Sequence, residues 1–183
     1  MISSLAIKKG SQVIRQSHSK RQQSDLRQLR RALCVKEVMR IIQEIKESWG
    51  WVGIDPIEIV GQNDFGNLMI EDSKGQYWRL CPEDVYCEVV AKNREDLDRL
   101  STDQEFLEDW YMQALVEQAN QHLGPLSEGD KYCLVTPGAL GGEYAISNIK
   151  TAPLIELVRF SGDLANQIKD LPDGAQIQLK VVD

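Results

Sequence analysis

The side chains in this 183-residue chain that could do covalent or metal chemistry are few and badly spaced for it. Its four cysteines, Cys34, Cys81, Cys87 and Cys133, form no C-x-x-C pair, and its histidines are His18 and His122 alone. That pattern argues against zinc and against a disulfide framework. His122 and Cys133 could be read as a base and a thiol nucleophile. However, Cys133 lies in an apolar strand, and neither an oxyanion-hole glycine motif nor an orienting partner accompanies it, so a structural thiol is expected rather than a Cys133-dependent hydrolase. Asp64, Glu71 and Asp72 lack the D-x-D-x-D-G loop and bidentate glutamate of a cation site, and turn chemistry accounts for them. No catalytic residue, cofactor or metal is expected.

What remains is a shape-defining stretch, Lys131 to Asn148 (KYCLVTPGALGGEYAISN). An apolar run from Tyr132 to Val135 stops at Pro137, passes through Gly138 and Gly141-Gly142, and restarts as an alternating segment from Glu143 to Ile149. The spacing predicts two strands joined by a glycine-bearing corner, since proline cannot donate to a central ladder and glycine permits positive φ. No phosphate-binding lysine, acid or base is placed to use that corner chemically. Only Glu143 and Tyr144 stand out there as contact residues.

The elements around this corner belong to a water-soluble, cytoplasmic type of protein. Hydrophobic residues make up 42% and charged residues 27%, and no apolar run approaches a membrane span or a secretory leader. Net charge is -7, with ten basic residues against Asp25 and Glu37 in residues 1–40, a balance of +8 that leaves -15 for residues 41–183. An acidic domain repels nucleic acid and favours basic proteins. Residues 1–37 read as a flexible basic extension with a nascent helix from Ser24 to Leu33. That extension is either a nucleic-acid arm or a stretch preceding a start at Met39.

Residues 38–183 read as a single α+β domain, an antiparallel meander sheet packed against helices. Val38, Ile41, Ile42, Ile45 and Trp49 share a helical face that ends at Gly50, with Trp49 and Trp51 expected to pack on the sheet. Strands are predicted at Pro56–Val60, Gly66–Glu71, Gln76–Leu80 and around Val85–Val89, with Asp72-Ser73-Lys74-Gly75 as a hairpin turn. Asn93 predicts an N-cap for a short helix to Leu100. Thr102 with Glu105 has capping-box spacing for a longer helix, whose Leu107, Trp110, Tyr111, Ala114 and Leu115 are expected to pack inward. A helical stretch from Leu157 to Lys169 leads through Pro172-Asp173-Gly174 to a final alternating strand, Ala175 to Val181.

Several of these segments, in order, resemble the C-terminal domain of the type VI secretion immunity proteins that protect bacteria against DNase effectors. They are FGNLMIEDSKGQYWRL, Asp109-Trp110 leading to L-G-P-L-x-x-G, CLVTPGALGGEYAISNI and QIKDLPDGAQIQLKVV. The resemblance runs from about Met39 to Asp183 and leaves the basic extension without a counterpart. It implies an α+β domain that binds a toxin stoichiometrically and catalyses nothing. A non-catalytic adaptor or regulatory domain, similar to SUKH-like scaffolds and bound to an endogenous protein, is the alternative.

The candidate partner-binding residues follow from charge and exposure. Between Lys92 and Asp109 seven acidic residues face three basic ones. Glu95, Asp96, Asp98, Glu105, Glu108 and Asp109, with Glu143 and Tyr144 from the corner, are expected to meet the cations of a basic toxin, Tyr144 as an aromatic anchor. No nucleic acid, membrane or cofactor is expected on this domain.

Overall fold

A computed structural model describes residues 35–172 and 174–175. The extension, its expected helix at Ser24–Leu33 and all but the first residue of the expected final strand lie outside the described residues. The chain divides into two units, Met1–Met39 and Arg40–Asp183. In the first, residues 35–39 are helical; everything that follows concerns the second.

The second unit is α+β. It opens with helix α1 (residues 40–49) and a single 3-10 turn at Gly50–Val52. A four-stranded antiparallel meander follows, β1 (Pro56–Gln62), β2 (Leu68–Asp72), β3 (Tyr77–Cys81) and β4 (Tyr86–Ala91), paired in chain order. The β2–β3 hairpin turns where the D-S-K-G signal predicted. Asp72 accepts from the Lys74 and Gln76 amides through Oδ1, both at 2.9 Å, and its Oδ2 accepts from the Trp78 indole at 2.9 Å. The carboxylate thus replaces three contacts that the bend would otherwise leave to water.

All five residues of β3 are buried, because both faces of the sheet are covered. Leu68, Ile70, Trp78 and Leu80 share a cluster with Ile41, Ile45 and Trp49 of α1 and with Leu154, Val158, Leu164 and Ala165 of α5 (Leu154–Ile168). On the other face Met69, Tyr77 and Ala91 meet Trp110, with Leu97 and Phe106 against them. These last come from α2 (Arg94–Leu100) and α3 (Gln104–Tyr111). A third cluster joins Ala119 of α4 (Gln113–Leu123) to Phe65, Tyr132, Leu134 and Ile149. Three of these lie at the two-stranded sheet of β5 (Asp130–Leu134) and β6 (Ile149–Pro153).

Three expectations are corrected. The helix capped near Thr102 begins one residue later, with Asp103 accepting from the Phe106 amide at 2.8 Å. It also stops at Tyr111, because Met112 adopts φ 44° and starts α4, so Leu107, Tyr111 and Ala114 do not pack inward with Trp110. Finally, the alternating segment after Gly142 is a loop with a 3-10 turn at Ile146–Asn148, and β6 begins only at Ile149. A Cβ on Gly142 would lie 1.7 Å from the Thr136 carbonyl oxygen. Asn148 bridges the loop, accepting from the Thr136 amide and donating to the Thr136 and Glu143 carbonyls at 2.9–3.0 Å. These side-chain bonds stand in for ladder bonds and free the chain from strand geometry. Trp51 is another partial departure. It stacks on buried Trp49 but is 40% exposed, with Lys169 over its ring.

Helices α1 and α5 are locked together by a close approach and an ion pair. Glu44 is buried, accepts from Ser48 Oγ at 2.9 Å and from Arg159 Nε and Nη2 at 3.0 and 2.6 Å, and the guanidinium holds its carboxyl below the ordinary range. One turn away, a Cβ on Gly162 would sit 2.6 Å from the Ser48 carbonyl oxygen, against backbone that cannot yield without separating the helices. Gly162→Ala is therefore expected to cost about 1–3 kcal/mol, lowering the melting temperature by about 3–10 °C in calorimetry. A melting temperature unchanged within about a degree would contradict this packing.

Candidate functional site

The site is assembled from the inside outward, beginning at Arg79. This residue sits at the centre of β3 with a side chain only 7% exposed, and an unpaired guanidinium there would be prohibitive. Its Nε donates to Asn67 Oδ1 at 2.9 Å, and its Nη1 pairs with Asp109 of α3. The rings of Tyr86, Phe106 and Trp110 lie 5.6–5.9 Å from its Cζ. Asn63 adds a second strap: its Nδ2 donates to the Trp110 carbonyl at 2.6 Å, and its Oδ1 accepts from the Phe65 and Asn67 amides. The polar end of α3 is thereby fixed to the sheet.

Around this anchor α3 has two faces. Phe106, Asp109 and Trp110 look toward the sheet, whereas Gln104, Leu107, Glu108 and Tyr111 look away. The left-handed Met112 then turns the chain in a single residue. Its amide closes α3 on the Glu108 carbonyl, and its carbonyl accepts from the Leu115 and Val116 amides of α4. A non-glycine residue there costs about 1–2 kcal/mol, which half-burial of its side chain against the Ala119 cluster offsets. The bend opens a cleft of 730 Å³ lined by Gln104, Leu107, Glu108, Tyr111, Met112, Gln113, Ala114, Leu115 and Gln118, with Tyr144 from the loop opposite.

Tyr144 is held in place from the β3–β4 turn. Glu83 offers its carbonyl to the Gly138 amide at 2.7 Å. The approach is so close that a Cβ on Gly138 would lie 2.4 Å from Asp84 Oδ1 and 3.2 Å from the Tyr144 ring. Burial of the ring and the adjacent Asp84 carboxylate push the Tyr144 phenol up, so it stays a neutral donor. In the same turn Val85 has φ 58°, a rare conformation for a β-branched residue, sustained by burial in the core.

The predicted contact residues are distributed unevenly about this geometry. Glu108 and Tyr144 line the cleft. Glu105 is exposed one turn from Glu108, and Glu143 is exposed beside Tyr144. Asp109 is committed to Arg79, Asp96 to Arg99 and Asp98 to Arg94, while Glu95 is exposed on α2. The structure therefore brings Glu108 and Tyr144 to one cleft, with Glu105 and Glu143 exposed next to them along the chain, and leaves the α2 carboxylates as a partly neutralised surface. The apolar lining of the cleft was not foreseen, because nothing in Tyr111-Met112-Gln113 marks a break. Arg79 and its partners were also missed, although a charge inside the apolar run Tyr77–Cys81 is a readable signal of a sheet covered on both faces.

The described cysteines, Cys81, Cys87 and Cys133, are free thiols. Burial pushes the Cys133 thiol up, and Cys87 up to about 12, which suppresses the thiolate a nucleophile needs. Among the described residues no group of three or more His, Cys, Asp or Glu side chains is arranged to hold a metal ion, and no helix is long and apolar enough to cross a membrane.

Among the described residues Glu83 holds the one buried polar side-chain atom left without a hydrogen-bond partner. That atom is Oε2, while Oε1 accepts from Asn67 Nδ2 at 2.5 Å. Burial raises its pKa, with the Asn67 bond opposing. A carboxyl raised by folding contributes stability that is present below the ordinary carboxylate range and lost as pH rises through the folded value. Glu83→Gln should remove that loss. Denaturant midpoints measured from pH 4.5 to 7.5 are expected to diverge, with the variant gaining on the wild type toward neutrality; parallel curves would contradict it.

Comparison with known proteins bears on the same segment. Residues 91–165 match the family model described as T6SS immunity protein Tdi1, C-terminal. That span is shorter than the resemblance from about Met39 to Asp183 and contains every residue lining the cleft. No curated protein matches the chain. Among solved structures, Atu4351 from Agrobacterium tumefaciens aligns with a TM-score of 0.47 at 12% identity, covering 69% of this chain and 64% of that one. This chain thus spans less than two thirds of that protein.

Proposed function

We propose that this chain is an immunity protein that neutralises a cognate toxin delivered by a type VI secretion system, acting in the cytoplasm by stoichiometric contact. The observation that carries this reading is the match of residues 91–165 to a type VI immunity family. It is supported by the fact that this segment builds an open cleft with two exposed aromatic rings, Tyr111 and Tyr144.

The toxin in this reading is basic, a nuclease being the class that fits. Residues 41–183 carry a balance of -15, a field that speeds capture of a cationic partner by roughly ten- to a thousandfold and turns nucleic acid away. A nuclease must present cations to a phosphate backbone, so an acidic surface placed over them blocks substrate as well as binding tightly.

Co-expression with a candidate toxin, sought among the genes adjacent to this one, tests the reading. Growth is expected to be restored, and the two proteins to co-purify as a one-to-one complex. Toxicity undiminished at comparable protein levels, with no complex, would contradict it. The Glu105→Lys and Glu108→Lys double reversal is expected to slow association about tenfold at low salt and much less at high salt, read by stopped-flow fluorescence. An association rate indifferent to both changes would remove this face from the contact.

A further inference from the structure

We propose that the cleft between the α3–α4 bend and Tyr144 is a socket for one large apolar side chain, presented by a basic segment of the toxin. This inference rests on the immunity reading and adds to it the chemistry of what enters. The floor is Leu107, Met112 and Leu115, all half-buried, and the walls are Tyr111, 59% exposed, and Tyr144, 44% exposed. Two large aromatic faces left open on one concavity leave an apolar area that water covers poorly, and the volume of 730 Å³ has room for a leucine, methionine, phenylalanine or tryptophan with its flanking backbone.

Charge decides what kind of chain brings that side chain. Among the described residues no lysine or arginine lines the cleft, Glu108 stands in its wall, Glu105 is exposed one turn along α3 from Glu108, and Glu143 is exposed next to Tyr144 in the chain. An inserting segment with Lys or Arg within about one helical turn of its apolar residue would satisfy all three carboxylates at exposed positions, where the desolvation cost is small. The acidic helical face of a second copy would set Glu105 and Glu108 against themselves, and nucleic acid would be repelled by the same groups. The socket is also preorganised. Gly138 runs so near Asp84 and the Tyr144 ring that a Cβ would not fit there, which narrows the room for ring movement and reduces the side-chain entropy lost on binding.

The test uses the full chain and a displayed library of random twelve-residue peptides. Ala114 is exposed at the cleft edge, so Ala114→Trp fills the socket without entering the core, and an unchanged melting temperature verifies its fold. Selection on the wild type is expected to enrich peptides with one Leu, Met, Phe or Trp beside Lys or Arg. The synthesised winner should bind Ala114→Trp at least about thirtyfold more weakly, the loss expected of an anchor residue. No enrichment, enrichment without that pairing, or equal binding to Ala114→Trp overturns the socket. The co-expression assay separates the two proposals. A folded Ala114→Trp that still rescues growth and binds the toxin at full affinity refutes the socket and leaves immunity standing, whereas a wild type that fails to rescue refutes immunity itself.

Discussion

A buried guanidinium tolerates very little freedom around it, and Arg79 imposes that constraint on half of this molecule. Removing it from water is acceptable only with its polar partners in place, so Asn67, just before β2, and Asp109 on α3 must both reach it. The rings of Tyr86, Phe106 and Trp110 then enclose what the polar groups leave open. Apolar packing alone would let α3 slide over the sheet by a fraction of a turn at little cost. An ion pair seated in an aromatic cage does not, and the helix is fixed in rotation as well as position.

The face of α3 that points away from the sheet follows from that rotation. With Asp109 and Trp110 turned inward, Glu108 and Tyr111 are turned outward, and the one-residue corner at Met112 carries α4 beside them to form a concave surface. The opposite wall is set by other means, the backbone contacts at Gly138 and Gly142 and the Asn148 bridge, which shape the loop that presents Tyr144. The segment matched by the immunity family contains these features except for the sheet residues that anchor them. A core polar pin on the sheet and a cleft beside the helices are thus two ends of one arrangement.

Much of this architecture was readable from residue patterns, and the unread parts have a physical cause. The meander was legible because short strand-like runs on either side of the Asp72–Gly75 turn, with alternation from Val85 to Val89, follow one another without a helical interruption. The corner at Gly141-Gly142 was legible as a turn, but the alternation after it was misleading. Side-chain bonds from Asn148 compete with strand pairing there, and periodicity does not register such bonds. The bend at Met112 left no trace, since a methionine in the left-handed region is stabilised by tertiary packing rather than by its own preference. The acidic character of α2 and α3 was plain, and the pairs of Asp96 with Arg99 and Asp98 with Arg94 have helical spacing, but Asp109 is taken up by Arg79, thirty residues away, which approaches only in the folded chain.

Hydrogen–deuterium exchange of the full chain, alone and bound to the toxin proposed as its partner, tests most directly whether the helical bend is the contact surface. The account predicts slowed exchange concentrated in residues 104–118 and 138–148, with α1, α5 and β1 unchanged. Protection confined to β1 or to the α1–α5 face, with the bend exchanging as it does in the free protein, would contradict it.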